Sequence, residues 1–206
     1  MADYPFERHL GKLELARECA RLGARLRTIE ILTGLTPRSV FCLFRADRRT
    51  PTRGRPPRTP EWYHGATLLD RSEASILVCG YRRLRDLGFE ATRALPCAYR
   101  QYLGLCRSHP RLSFDRAFDL ARQVDGIWEV QEAGLSLNTC SACASRYLTV
   151  AGDASRSSAD CPFCKLTKRY FCDPRVQSNF PSVALPDLNC LEWSITLRAR
   201  LAELEA

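Results

Sequence analysis

The chain has 206 residues, of which 45% are apolar, and it carries a formal net charge of +8 with eleven cysteines. That much apolar content supports a buried core and excludes a disordered polyelectrolyte. The longest apolar stretch, near Ile76 to Cys79, is too short to span lipid, and no apolar run follows the first charges, so a soluble, cytoplasmic protein with no membrane partner is expected.

The charge is unevenly placed. Residues 1–60 hold thirteen Lys or Arg against six Asp or Glu, a net of +7. A basic excess of this kind points to a polyanionic partner, most simply nucleic acid. A solvated basic surface that aids solubility is the bland alternative. An odd cysteine count without a secretory signal fits a reducing compartment, with Cys19, Cys79, Cys97 and Cys106 read as small packed hydrophobes.

Along the chain, Leu15, Cys19, Leu22, Leu26, Ile29 and Thr33 recur at steps of four and three, which predicts one long first helix stopped by Gly34. Its stripe faces a core or a partner helix, and Ala16, Ala20 and Ala24 widen it into a surface suited to a partner. Thr36 followed by Pro37 predicts an N-cap and first position of a second helix, with Val40, Leu43 and Phe44 inward and Arg38 and Arg45 outside.

This helix-turn-helix-like unit places Ile29, Leu35, Val40 and Leu43 at buried positions when Gly34 is the turn glycine. It leaves Phe41 and Cys42 on the outer face. Neither can read base edges by paired hydrogen bonds, so Phe41, with Leu22 and Leu26, is assigned to partner packing. Arg38 and Arg45 remain available for phosphates.

Residues 45–60 then change character: Arg45, Arg48, Arg49, Arg53, Arg55 and Arg58 alternate with Pro51, Pro56, Pro57, Pro60 and Gly54. The prolines forbid a regular helix or central strand. Such a segment is either an arm that grips phosphates or an exposed linker.

A helix is predicted from Ala66 to Leu87 with Leu69, Ile76, Leu77, Leu84 and Leu87 as its apolar set, stopped by Gly88. Ala91, Leu95, Ala98, Tyr102 and Leu105 predict the next, with Pro96 as a kink or as its true start. Ser113 should cap the last of the group, whose inner face is Phe114, Ala117, Ala121, Val124 and Trp128 and whose stop is Gly134. Tyr99, Tyr102 and Trp128 are read as core rather than as base-stacking platforms.

The most specific feature follows. Cys140-Ser141-Ala142-Cys143 and Cys161-Pro162-Phe163-Cys164 are separated by seventeen residues, the spacing of a four-thiolate zinc site. Four thiolates leave the ion no open position, so one structural Zn2+ per chain is expected, with iron as the residual alternative. Arg146–Val150 is predicted as a short strand and Gly152–Asp160 as a polar loop, a zinc-ribbon-like layout. Lys165, Lys168, Arg169 and Arg175 form a second, thinner basic cluster, and Cys172 is read as a non-ligand.

The fold expected is therefore mainly α. A helical DNA- and partner-binding domain spans residues 1–135, a four-cysteine module spans 136–175, and a tail spans 176–206 with a last helix at 191–204. No open metal site, histidine pair or adjacent carboxylate supports hydrolysis, and a redox motif needs no second cysteine pair, so an enzyme is not expected.

Read together, the order of parts resembles the FlhC family, the C subunit of the bacterial flagellar master transcriptional activator. The likeness rests on Leu22-Gly23-Ala24-Arg25-Leu26, on Thr33-Gly34-Leu35-Thr36 leading to Arg38 and Leu43-Phe44, on Pro56-Pro57 before Trp62, on Ala98-Tyr99-Arg100-Gln101-Tyr102-Leu103 and on the paired cysteines. It implies assembly with FlhD-type subunits into a heterohexamer of four D and two C subunits. It also implies binding upstream of flagellar promoters and recruitment of RNA polymerase. The family's zinc ligands fall on Cys140, Cys143, Cys161 and Cys164. A module that binds protein rather than DNA is the competing expectation.

Overall fold

The computed structural model describes residues 5–47, 61–106, 110–151, 161–179 and 181. Among them the order is α1 (Pro5–Arg21), α2 (Leu26–Thr33), α3 (Pro37–Ala46), α4 (Glu61–His64), α5 (Leu68–Asp86), α6 (Ala91–Leu105), α7 (Phe114–Asp125), β1 (Leu135–Thr139), β2 (Arg146–Val150), α8 (Pro162–Tyr170) and α9 (Pro174–Asn179). The chain is mainly α-helical, with one short two-stranded antiparallel sheet among the described residues. Arg48, Arg49, Arg53, Arg55 and Arg58, the loop 152–160 and the expected helix 191–204 lie outside the described residues.

The single first helix of the sequence reading is two. Gly23 adopts φ +86°, a left-handed conformation that ends α1. The Ala24 amide then reaches back to the Cys19 carbonyl at 3.0 Å, satisfying one of the carbonyls a helix end leaves bare. Arg25 is extended, and α2 starts afresh. The periodic stripe survives the break because both helices bury their apolar residues in the same core: Cys19 and Ile29 are fully buried, while Leu22 and Leu26 are half-buried at its margin. Ala16 and Ala24 are also core residues, so the expected small-residue surface for a partner is not present at those positions.

The turn into α3 follows the local signals. Gly34 is left-handed at φ +65°, and the Thr36 hydroxyl accepts the Ser39 amide at 3.2 Å with Pro37 at the first helical position. Ile29, Leu35, Val40, Leu43 and Phe44 are buried, and Arg38, Phe41, Cys42 and Arg45 are exposed.

α5 is the central helix, packing against α6, α7, α8 and β2. A capping box at Thr67 and Asp70 starts it at Leu68 rather than Ala66. Its buried face is Ala74, Leu77, Val78 and Tyr81, whereas Leu87 lies past the helix end and is 67% exposed. α6 begins at Ala91 and runs through Pro96, so the proline does not mark its start, and Leu105 in its last turn is exposed. Tyr99 and Tyr102 are core residues.

Ser113 caps α7 by accepting the Arg116 amide, but the helix ends at Asp125, where Gly126 turns left-handed at φ +63°. The stop expected at Gly134 comes eight positions earlier, and Trp128 lies beyond the helix, with its ring stacked on Phe118 at 5.2 Å.

α7 also carries carboxylates into the interior, each held by donors from another element. Asp115 accepts the Thr28 hydroxyl at 2.6 Å and the Arg25 amide at 3.1 Å, tying in α2. Asp119 accepts the Trp62 indole N–H and the Arg122 Nε, both at 2.9 Å. Asp125 accepts Tyr81 Oη at 2.7 Å with Arg82 and Arg85 alongside. A buried carboxylate is tolerated only with such partners, so these bonds fix the order of helices around α7.

The strands pair with Leu135 opposite Val150 and Thr139 opposite Arg146. β2 matches the predicted strand; β1 was not foreseen. Leu135 and Leu148 are fully buried in the same core as the helices, so the hairpin is seated on α5 and α7. One outward edge of β2 is occupied by α5: the Leu148 amide donates to Ser75 Oγ at 3.1 Å, and Cys79 Sγ donates to the Arg146 carbonyl at 3.3 Å.

Candidate metal centre

The first cysteine pair sits on the turn that joins β1 to β2. The Cys140 amide donates to the Ser145 carbonyl at 2.9 Å, and the Ala144 amide donates back to the Cys140 carbonyl at 2.9 Å. Closing so short a loop forces Ala144 to φ +57°, where an L-residue carries a strain of about 1–2 kcal/mol. The turn points the Cys140 and Cys143 sulfurs the same way.

The second pair opens α8. Cys161 is the N-cap residue, Pro162 occupies the first helical position, and Cys164 follows two places later, so one helical turn brings both sulfurs to one face. A helix N-terminus also favours negative charge, which suits thiolates there.

These two elements converge on one cluster. Cys140 Sγ lies 3.8 Å from Cys164 Sγ, Cys143 Sγ lies 3.8 Å from Cys161 Sγ, and all four sulfurs fall within 4.8 Å of one another. A tetrahedron of sulfurs about 2.3 Å from a central ion has edges of about 3.8 Å, so the spacing fits a four-thiolate cation site. It is too wide for disulfides, whose S–S distance is about 2.05 Å, and all four cysteines are free. Cys140 and Cys161 are buried, Cys164 is half-buried and Cys143 faces solvent, with Tyr147 and Phe163 packed against the group.

The thiols perturb one another strongly. Hydrogen bonds from Ser145, side chain first and then backbone, draw Cys143 down to about 6. Cys164 is pushed up to about 12, chiefly by its hydrogen bond to Cys143, and burial raises Cys161. The Cys143 thiolate is thus favoured while Cys161 and Cys164 hold their protons more tightly. Four thiolates together require a cation, and these four cysteines can bind a metal ion.

The structure brings together all four cysteines singled out by spacing. Cys172 is exposed and outside the cluster. Arg38 and Arg45 lie on the exposed side of α3, and Phe41 between them is 50% exposed. Ser75, the polar residue that holds the Leu148 amide, was missed by the sequence reading, because it breaks the apolar pattern of α5 and nothing in that pattern marks it as a buried acceptor. Cys79, read as a small packed hydrophobe, is half-buried and donates to the Arg146 carbonyl.

Among the described residues, no helix is long and apolar enough to cross a membrane. A family model described as flagellar transcriptional activator (FlhC) matches residues 6–174. The flagellar transcriptional regulator FlhC of Proteus mirabilis is 28% identical over 199 residues, covering 93% of this chain and 98% of that protein. The protein of the same name from Yersinia enterocolitica is 29% identical over 163 residues, covering 76% and 80% respectively. That of Serratia marcescens is 30% identical over 143 residues, covering 66% and 70%. The match extends from the first turn of α1 to the start of α9, across both the helical body and the cysteine cluster, and the chain belongs to the FlhC family of flagellar transcriptional regulators.

Proposed function

We propose that this chain is the DNA-binding subunit of a heteromeric transcriptional activator that acts upstream of flagellar promoters and recruits RNA polymerase in the cytoplasm. It performs no chemistry of its own. The observation that carries the reading is the family match over residues 6–174 in a chain whose first sixty residues are net +7.

In this reading Arg38 and Arg45 on α3, together with Arg48, Arg49, Arg53, Arg55 and Arg58, supply phosphate contacts. A guanidinium pairs with phosphate through two parallel hydrogen bonds and stays charged at any physiological pH. Phe41, exposed beside Arg38 and Arg45, packs with Leu22 and Leu26 on an FlhD-type subunit, in an assembly of four D and two C subunits. The ion at Cys140, Cys143, Cys161 and Cys164 is one zinc per chain. Its role is structural, because four thiolates close the coordination shell and leave no position for water or substrate.

Co-expression with the D-type subunit, followed by metal analysis and a salt titration of binding to a flagellar promoter fragment, tests the reading. With about six phosphates neutralised, log affinity should fall against log salt with a slope near −5. A slope near zero overturns the DNA assignment and leaves a protein-interaction scaffold; iron or no metal in the purified complex overturns the zinc assignment.

A further inference from the structure

Beside the cysteine cluster lies an open groove of about 500 Å³, walled by Cys79, Arg83 and Asp86 of α5, by Ser145 and Arg146 where the knuckle turn enters β2, and by Phe163 of α8. Helix periodicity and strand pitch assemble it. Ser75, Cys79 and Arg83 recur every four residues on α5, an advance of about 6 Å per step. Two residues of a strand advance about 6.7 Å, so the same ridge meets β2 first at Leu148 and then at Arg146. The next step, Arg83, passes the beginning of β2 and arrives next to the knuckle turn.

Two guanidinium groups far apart in sequence therefore line one groove, Arg83 from α5 and Arg146 from the start of β2. Both are exposed, and among the described residues neither forms an ion pair. The acid in the groove, Asp86, is already 3.6 Å from Arg82 Nη2. An unneutralised pair of arginines on an open, mixed-polarity groove matches an extended anionic backbone, since a guanidinium fork donates to phosphate oxygens without requiring a shaped pocket. The local sequence around the cysteines gives only the thin basic cluster of Lys165, Lys168, Arg169 and Arg175. Folding adds Arg83 to Arg146 there.

We propose that Arg83 and Arg146 form a second phosphate-binding surface, which places the cysteine module against the backbone of promoter DNA in addition to the contacts of the N-terminal region. The inference rests on the DNA-binding reading above and extends it to residues outside the N-terminal basic region. Such contacts hold register on the duplex and carry no base preference.

The test uses the purified complex with its D-type subunit and a flagellar promoter fragment. Arg83→Ala and Arg146→Ala should each make the salt slope shallower by about 1 for every C-type subunit in contact with the fragment, and the pair by about 2 per subunit, with the operator preference unchanged. Arg83→Lys and Arg146→Lys should restore most of the slope, because the charge is kept. Metal content should match the parent in every variant. Arginine-selective labelling of the unmodified complex with phenylglyoxal, read by mass spectrometry, provides a measurement that involves no substitution: both side chains should lose labelling on addition of the fragment.

An unchanged slope in the double alanine variant, or labelling indifferent to DNA, overturns the proposal while the parent's own steep slope leaves the DNA reading intact. Side chains already protected from labelling in the complex before the fragment is added also overturn it and make the groove a protein interface. A parent complex that fails to bind the fragment overturns the DNA reading itself, and this inference with it.

Discussion

The hydroxyl of Tyr63 donates a 2.7 Å hydrogen bond to the backbone carbonyl of Leu148, tying the four-residue helix α4 to the edge of the hairpin that carries the first cysteine pair. The amide of the same Leu148 is held by Ser75 Oγ at 3.1 Å. Both backbone groups of one strand residue are thus satisfied by side chains where a third strand would otherwise pair. A bare strand edge is an invitation to misassembly, and here it is covered by α5 and α4. Trp62, next to Tyr63, is anchored in turn to Asp119 of α7 and lies under the Arg116 guanidinium at 4.9 Å. The segment that follows the arginine- and proline-rich stretch is therefore fixed to two elements of the body at once.

Tyr63→Phe keeps the ring and removes the donor. The Leu148 carbonyl would stay buried without its partner, a loss of about 1–2 kcal/mol. Urea denaturation should show a lowered midpoint with an unchanged slope, because the folded state and the surface exposed on unfolding are otherwise the same.

Replacing a buried thiol of the cluster should have a far larger effect. On the zinc reading, Cys140→Ser or Cys161→Ser removes one of four ligands from a site whose binding is coupled to folding, where the apparent energy in such modules is about 10–16 kcal/mol. Bound metal should fall from one per chain towards none in a colorimetric release assay, with proteolysis newly entering the β1–β2 region. Cys172→Ser, at an exposed position outside the cluster, should keep its metal and stay within about 0.5 kcal/mol of the parent.

Gly23→Ala tests the break between α1 and α2. A Cβ at this position would meet nothing within 4 Å, so the cost comes from the backbone alone, where φ +86° is unfavourable for an L-residue. The expected destabilisation is about 1 kcal/mol, read as a shift in the urea midpoint. A stabilised variant would show that a continuous helix over Leu15–Thr33 is the preferred state.

Asp119 gives a pH signature. Burial raises its pKa above the ordinary carboxylate value, against the opposing hydrogen bond from Trp62 and the charge and hydrogen bond of Arg122. A carboxyl whose folded pKa is raised binds its proton more tightly when folded. Its contribution to stability is complete below the unfolded pKa of about 3.9 and is lost as pH rises through the folded value. Asp119→Asn cannot ionise and still offers the indole an acceptor. Its unfolding midpoint relative to the parent should therefore rise between about pH 3 and pH 7, and a difference that falls over that range would contradict the assignment.

Local chemistry was legible in the sequence wherever near neighbours decide the outcome. The Thr36-Pro37 cap, the Ser113 cap, the strand Arg146–Val150 and the two cysteine pairs, Cys140 with Cys143 and Cys161 with Cys164, each depend on residues a few positions apart, because a capping bond, a strand pattern and a knuckle turn are all short-range geometries. The periodic stripe of the first two helices was also legible, although the break at Gly23 was not. Apolar spacing reports which face is buried and is silent about whether a glycine within it turns left-handed.

Tertiary structure alone decided the rest. Leu87 and Leu105 fit their stripes yet are exposed, since Leu87 lies just past the end of α5 and Leu105 sits at the last position of α6. Glu73, Asp115 and Asp119 look like surface residues and are buried, because Tyr102, Thr28 and Trp62 arrive from other elements to donate to them. The seat of the hairpin on Ser75 and Tyr63, and the placing of Arg83 and Arg146 along one groove, require residues tens of positions apart to come together. A sequence pattern encodes the local preference of each segment; which segments become neighbours is fixed only when the whole chain packs, and that is where polar groups find partners and separated charges become one surface.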